Sequence, residues 1–249
     1  AAEDLIDKVL RIGKIVGLAN HTVLINREGR QIPIADSAAP IKDGTGQIYG
    51  VVMVFRDVTK EKEQQKQILY LSYHDTLTGI YNRRFMEEKI RQADASQEVP
   101  LTVIMGDVNG LKLANDVFGH EVGDKLLQKA VEAIMENCRK EDIVGRWGGD
   151  EFLILLPRTN AETAENIIAG IKKSCERDVD TVIKLSISLG YAVKEKAEES
   201  LRQTIKEAEE WLYRRKLLEG KSYRNTIINT LLDVLFAKSI ETEEHADRL

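Results

Sequence analysis

Cysteine is scarce in this chain of 249 residues: only Cys138 and Cys175 occur. They are not spaced as CxxC, so the sequence carries neither a zinc motif nor a dithiol redox motif, and two reduced thiols in a cytoplasmic protein are expected. Long apolar runs are also missing. No stretch approaches the roughly 20 residues that a membrane helix needs, so no membrane segment is expected, and the first residues do not read as a signal peptide. Nor is there a surplus of basic side chains. The 36 Lys and Arg face 41 Asp and Glu, for a net charge of −5. That balance argues against a broad nucleic-acid footprint while leaving room for a local phosphate pocket.

What is present is enough apolar material for a packed core, 43% of residues, which sets the chain apart from disordered sequences. The length suits one good-sized domain with flanking pieces, or two small domains. The patterns at Ala1 and Leu249 read as unfinished, as in a piece of a longer protein.

Residues 1–58 read mostly as β-structure. His21 to Asn26, Gln31 to Pro40 and Tyr49 to Phe55 have strand character and are separated by turns at Gly29 and at Gly44 to Gly46. Residues 59–72, highly charged and then apolar at Ile68-Leu-Tyr-Leu, read as a linker helix without Gly or Pro. From 73 to 222 helix and strand alternate. Helices are expected over Arg83–Ala93, Gly123–Cys138, Ala161–Cys175 and Glu199–Glu219; strands over Leu101–Asp107, Ile143–Trp147, Phe152–Leu156 and Val182–Leu189. This pattern predicts an α/β (α+β) fold, a mixed central sheet flanked by helices, with one tight hairpin.

That hairpin, Arg146-Trp-Gly-Gly-Asp-Glu-Phe, sets two glycines and two carboxylates between two strands. Glycine permits positive φ and close approach of a ligand. Asp150 and Glu151 repel each other unless a cation is near. Alone, this is an ordinary solvated acidic turn. Asp107, however, closes an apolar strand, a usual place for function in α/β folds. If the two strands are neighbours, Asp107 and Asp150 converge as hard oxygen ligands suited to Mg²⁺ and substrate phosphates. Lys112, Asn115, Asp116, His120 and Asp124 follow; His120 and Asp124 share a helix face. Asn and Asp side chains can read a guanine edge, and Lys112 offers charge to a phosphate. Singly, His120 and Asp124 are unremarkable first-turn helix residues.

The joint pattern of residues 73–216 resembles the GGDEF family of diguanylate cyclases. The resemblance is carried by Asp75-Thr-Leu-Thr-Gly-Ile-Tyr-Asn-Arg-Arg, by Asp107-Val-Asn-Gly-Leu-Lys-Leu-Ala-Asn-Asp-Val-Phe-Gly-His-Glu-Val-Gly-Asp, by Arg146-Trp-Gly-Gly-Asp-Glu-Phe, by Ser186-Ile-Ser-Leu-Gly and by Ala208 to Lys216. It implies a nucleotidyl-cyclase-like domain over 73–222 that condenses two GTP into cyclic di-GMP. It implies Mg²⁺ (or Mn²⁺) held by Asp107, the Val108 carbonyl and Asp150, with Asp150 nearest the attacking 3′-hydroxyl and Glu151 in support. Asn115 and Asp124 would bind guanine, His120 would line the nucleotide pocket, and Lys112 and Lys216 would meet phosphates. Turnover would need a homodimer, because each subunit holds one GTP. Arg139-Lys-Glu-Asp142 has the RxxD form of the family's inhibitory product site; on its own it is a surface ion pair.

Ile34-Ala-Asp-Ser-Ala-Ala-Pro-Ile and Gly50-Val-Val-Met-Val-Phe-Arg-Asp-Val-Thr make residues 1–58 similar to the C-terminal part of a PAS domain. Residues 223–249 resemble the helical start of an HD-GYP phosphodiesterase domain. The chain departs from the GGDEF family at Asn109, where many relatives have a second Asp, and at Leu111, where many have Phe. After Lys216, Leu-Leu-Glu-Gly-Lys-Ser replaces the usual Gly-Arg-Asn. A module that binds GTP or cyclic di-GMP and relays a signal to a downstream phosphodiesterase without turnover is the alternative reading.

Overall fold

The computed structural model describes residues 5–17, 22–96, 98–177, 183–219, 225 and 228. The chain divides into two compact units, residues 1–70 and 71–249. Among the described residues no helix is long and apolar enough to cross a membrane.

In the first unit, helix α1 (Leu5–Ile12) precedes β1 (Val16–Gly17), β2 (Val23–Ile25), β3 (Gln31–Lys42) and β4 (Ile48–Asp57). β3 pairs antiparallel with the other three. Both turns bend around a side chain that serves its own backbone: Asn26 Oδ1 accepts from Glu28 and Arg30, and Asp43 Oδ1 accepts from Thr45 and Gln47. Gly29 and Gly46 supply the positive φ of each turn. The three strands and their turns follow the sequence pattern; α1 and β1 do not, and α1 buries Val9 against Ala38 of the sheet. Helix α2 (Thr59–Tyr73) begins at an Asp57 cap, whose Oδ1 accepts from the Thr59 N–H at 2.8 Å.

The second unit contains β5 (Tyr81–Asn82), α3 (Arg83–Ser96), β6 (Leu101–Val108), α4 (Leu111–Phe118), α5 (His120–Met135), β7 (Ile143–Arg146), β8 (Glu151–Pro157), α6 (Ala161–Arg177) and β9 (Ile187–Lys194). Residues 201–219 form a last helix, α7. The sheet order is β5-β7-β8-β6-β9; β5 and β7 are parallel and the other pairs antiparallel. The mixed α/β architecture is thus present.

Each central strand alternates between two apolar layers, as a two-residue repeat requires. Ile104, Val108, Phe152, Ile154 and Leu156 face α4, α5 and α6. Leu101, Val103, Met105, Leu153 and Leu155 face α3 and α7. The helices answer with the same arithmetic: Ala164, Ile168, Ile171 and Cys175 on α6, and Leu201, Ile205, Ala208 and Leu212 on α7, recur every three or four residues.

Several boundaries differ from the sequence pattern. Helix α4 is new, set between Gly110 and Gly119, both at positive φ. That break lets α5 start at His120 rather than Gly123. β9 begins at Ile187 and continues to Lys194, because it pairs residue by residue with β6 from Val108 back to Leu101. The expected strand start at Val182 and the HD-GYP-like residues 223–249 fall outside the described residues, save 225 and 228, which are helical.

Helix α7 crosses β9 at Gly190, where a Cβ would run into the backbone of α7 at Leu212 and Ala208. Gly190→Ala is expected to destabilise the protein by about 3 kcal/mol, measured by urea unfolding. Gly149→Ala, with open space around its missing Cβ, should unfold within about 1 kcal/mol of the parent.

Candidate active site

Asp107 lies next to the end of β6, on the face that turns toward α7. Its Cα partner on β8 is Glu151 and on β9 is Ser188. Directly opposed residues of one face stand side by side, so Asp107 and Glu151 form a like-charged pair. Asp150 is drawn in as well, since its carbonyl accepts from the Val108 N–H at 3.0 Å. The strand-end acid and the hairpin acids thus lie at the same end of the sheet, where the charges of Asp150 and Glu151 both act on Asp107.

Asp107 is 3% exposed. Lys216, from the last turn of α7, sets Nζ 2.6 Å from Asp107 Oδ2. Asp107 Oδ1 is buried and has no hydrogen-bond partner among the described residues. Burial pushes the Asp107 carboxyl up to about 6; the Lys216 hydrogen bond opposes this, and the charges of Asp150 and Glu151 reinforce it.

The hairpin is braced from outside. Trp147 and Gly148 N–H groups both point to the Glu151 carbonyl, closing the turn. A Cβ on Gly148 would press on Glu151 Oε2 at 2.7 Å, so glycine there leaves room for that carboxylate. Arg146 Nη2 donates to the Gly149 carbonyl at 2.7 Å, and its Nη1 reaches both oxygens of Asp75, at 3.1 and 3.2 Å. Burial alone would raise the Asp75 carboxyl, but hydrogen bonds from Thr78 and the Arg146 charge hold it below its ordinary range. Asp75 thus ties the start of the domain to the glycine turn. The sequence marks Asp75 and Arg146 only as members of separate motifs; their pairing across 71 residues leaves no local signal.

The residues expected to meet the nucleotide lie just beyond β6. Asn115 on α4 packs on Gly123 of α5, where a Cβ would collide with Asn115 Oδ1. That oxygen is buried without a partner among the described residues. Asp124 follows Gly123, and His120 precedes Asp124 by one turn; both are exposed. Lys112 is exposed one turn before Asn115 on α4. Asn115 and Gly123 are therefore in contact, with Asp124 next along α5, while among the described residues no contact ties Lys112 to them.

Arg139 and Asp142 form a separate turn: the Arg139 N–H donates to Asp142 Oδ2 at 2.6 Å, and the Asp142 N–H to the Arg139 carbonyl at 3.1 Å. Asp142 Oδ1 is buried and unpartnered among the described residues, and burial raises its carboxyl despite the Arg139 N–H. Arg139 is exposed.

Among the described residues, no three His, Cys, Asp or Glu side chains converge into a ready-made metal cage. Two converging carboxylates, one with an orphaned buried oxygen, are what Mg²⁺ takes from a protein when substrate phosphates and water supply its other ligands. The donor set at Asp107 and the hairpin fits such an ion.

Residues 72–222 match the family described as diguanylate cyclase, GGDEF domain. The chain is similar to the diguanylate cyclase DgcM of Escherichia coli (strain K12), with 33% identity over 183 residues, 70% of this chain and 44% of the relative; it therefore spans less than half of that protein. It is also similar to the diguanylate cyclase SiaD of Pseudomonas aeruginosa, solved with its activator SiaC, at 29% identity and a TM-score of 0.54, covering 63% of this chain and 64% of that one. The coiled coil and GGDEF domain of DgcB from Caulobacter crescentus, solved with c-di-GMP, shares the fold at 23% identity and a TM-score of 0.59, over 64% of this chain and 88% of that one.

Ionising Asp107 costs the folded protein more than the unfolded chain. Well below pH 4 the group is neutral in both states. Between pH 3.8 and about 6 the unfolded chain releases its proton while the folded protein keeps it, so stability is lost as pH rises through that window. In metal-free buffer, Asp107→Asn should exceed the parent in stability above pH 6 by on the order of 2 kcal/mol. The gain should vanish well below pH 4. A difference in unfolding free energy that ignores pH would contradict this account.

Proposed function

The chain belongs to the GGDEF family of diguanylate cyclases, and we propose that it condenses two GTP molecules into cyclic di-GMP with release of two pyrophosphates. The observation that carries this reading is the group of acids: Asp107 in register with Glu151, the Asp150 carbonyl bonded to the next residue of β6, and a buried Asp107 oxygen without a partner among the described residues.

In this reading Asp107, the Val108 carbonyl and Asp150 hold Mg²⁺ (or Mn²⁺), which when bound acidifies the 3′-hydroxyl and offsets charge on the α-phosphate. Asp150 accepts the proton of the attacking 3′-hydroxyl, and Glu151 supports the cluster. Lys216 leaves Asp107 for a phosphate oxygen, and Lys112 supplies a second phosphate contact. Asn115 and Asp124 offer an acceptor and a carboxylate to the guanine edge, with Gly123 keeping the space between them. His120 lines the same pocket. Because the reaction joins two nucleotides, two copies of the domain must face each other during turnover.

Regulation is assigned to two places. Arg139 and Asp142 form a product site, in which an exposed guanidinium grips a phosphate or guanine with paired hydrogen bonds. The antiparallel sheet of residues 1–58 is assigned as the C-terminal part of a PAS domain, joined through the linker helix. Residues 223–249 are assigned as the start of an HD-GYP domain.

Purified protein, freed of bound nucleotide, is expected to convert GTP to cyclic di-GMP in the presence of Mg²⁺, followed by chromatography. Asp150→Ala should lower the rate by about 100-fold or more with little change in melting temperature. Turnover that survives this substitution would refute the role of the hairpin acid. Arg139→Ala should raise the cyclic di-GMP concentration for half-inhibition by about tenfold; an unchanged inhibition curve would remove the product site.

A further inference from the structure

Past the end of β6 a chain of polar contacts links four segments. The Asn109 N–H donates to the Ser186 carbonyl at 2.9 Å. This N–H shares its peptide plane with the Val108 carbonyl, so the bond fixes where that carbonyl points. The Asn109 side chain, on a residue 2% exposed, lies between two hydroxyls: Nδ2 is 2.9 Å from Ser186 Oγ and Oδ1 is 3.0 Å from Ser188 Oγ. Ser188 Oγ is also 2.9 Å from Glu219 Oε2, at the end of α7. Glu219 Oε1 is in turn 2.6 Å from Lys172 Nζ on α6.

A hydroxyl has one hydrogen and cannot serve two acceptors. Every contact is satisfied only when the Asn109 amide, whose two ends the network alone distinguishes, turns its NH₂ to Ser188 and its oxygen to Ser186. Ser188 then gives its hydrogen to the ion-paired Glu219. The arrangement demands one amide and one carboxylate around Ser188. Two carboxylates would contest a single hydrogen beside Asp107, already crowded by Glu151.

We infer that Glu219 is a positioning residue for the acid site: through Ser188 it selects an amide at Asn109, and so holds the Val108 carbonyl in place. It also pins the end of α7 one turn after Lys216, the counter-ion of Asp107. This inference rests on the cyclase reading given above. Glu219 touches neither substrate nor metal; it acts through Ser188 and Asn109.

The test exchanges the two groups in this chain. Asn109→Asp should lower kcat by about tenfold or more with KM for GTP changed little, as for residues that orient metal ligands. Asn109→Asp combined with Glu219→Gln restores one carboxylate and one amide at the same net charge, and kcat should return to within about threefold of the parent. Urea unfolding of the same variants should show the same loss and rescue without any need for turnover, so a chain inactive toward GTP would sink the cyclase reading and leave this inference measurable. Ser188→Ala, which changes no charge, should weaken binding of free Mn²⁺, followed by paramagnetic resonance without nucleotide, by about tenfold. A double variant no better than Asn109→Asp in both kcat and unfolding would overturn the inference. Unchanged Mn²⁺ affinity in Ser188→Ala would reduce Glu219 to a structural clamp and overturn it equally.

Discussion

The site is organised by a repulsion. Asp107 is paired across the sheet with Glu151, and the Asp150 backbone is bonded to Val108, so that the negative charges of Asp150 and Glu151 both bear on the Asp107 carboxylate. Asp107 is the most deeply buried of the three, and Lys216 is the cation it contacts. An anionic cluster maintained against its own electrostatics is a standing demand for positive charge. The surrounding elements either enforce that demand or answer it.

Enforcement comes from the sheet. Strand β6 lies between β8 and β9 and is buried along its whole length, so its register cannot slip by one residue without turning Asp107 into the opposite layer. The glycine turn that carries Asp150 is braced by Arg146 and Asp75. The answer comes from α7. Its close approach at Gly190 brings the last turn of the helix over the strand ends, where Lys216 meets Asp107 and Glu219 meets Ser188. One helix thus delivers both the counter-charge and a carboxylate that orders the neighbouring polar groups.

Much of this was legible in the sequence. The apolar run ending in Asp107 marked a central strand, and the Gly-Gly turn with two acids marked the hairpin, because strand periodicity and turn chemistry are local properties. Their convergence required only that the two strands be adjacent. Less was legible where tertiary pairing sets the boundary. Strand β9 extends to Lys194 because β6 supplies partners that far, and α4 forms because two glycines at positive φ isolate an eight-residue amphipathic piece. The Asn109–Ser188–Glu219 chain spans more than a hundred residues of sequence and leaves no periodic trace. Asn109 and the segment after Lys216 stood out as separate departures from the family; their link appears only once α7 is docked.

The central claim is that Asp107 and Asp150 share a cation. It is tested most directly by locating Mn²⁺ from its anomalous scattering in crystals grown with a non-hydrolysable GTP analogue. The account predicts a metal about 2.1 Å from one carboxylate oxygen of each residue, with the Lys216 ammonium moved from Asp107 to a phosphate. A metal bound by the nucleotide alone, with Lys216 still on Asp107, would contradict it.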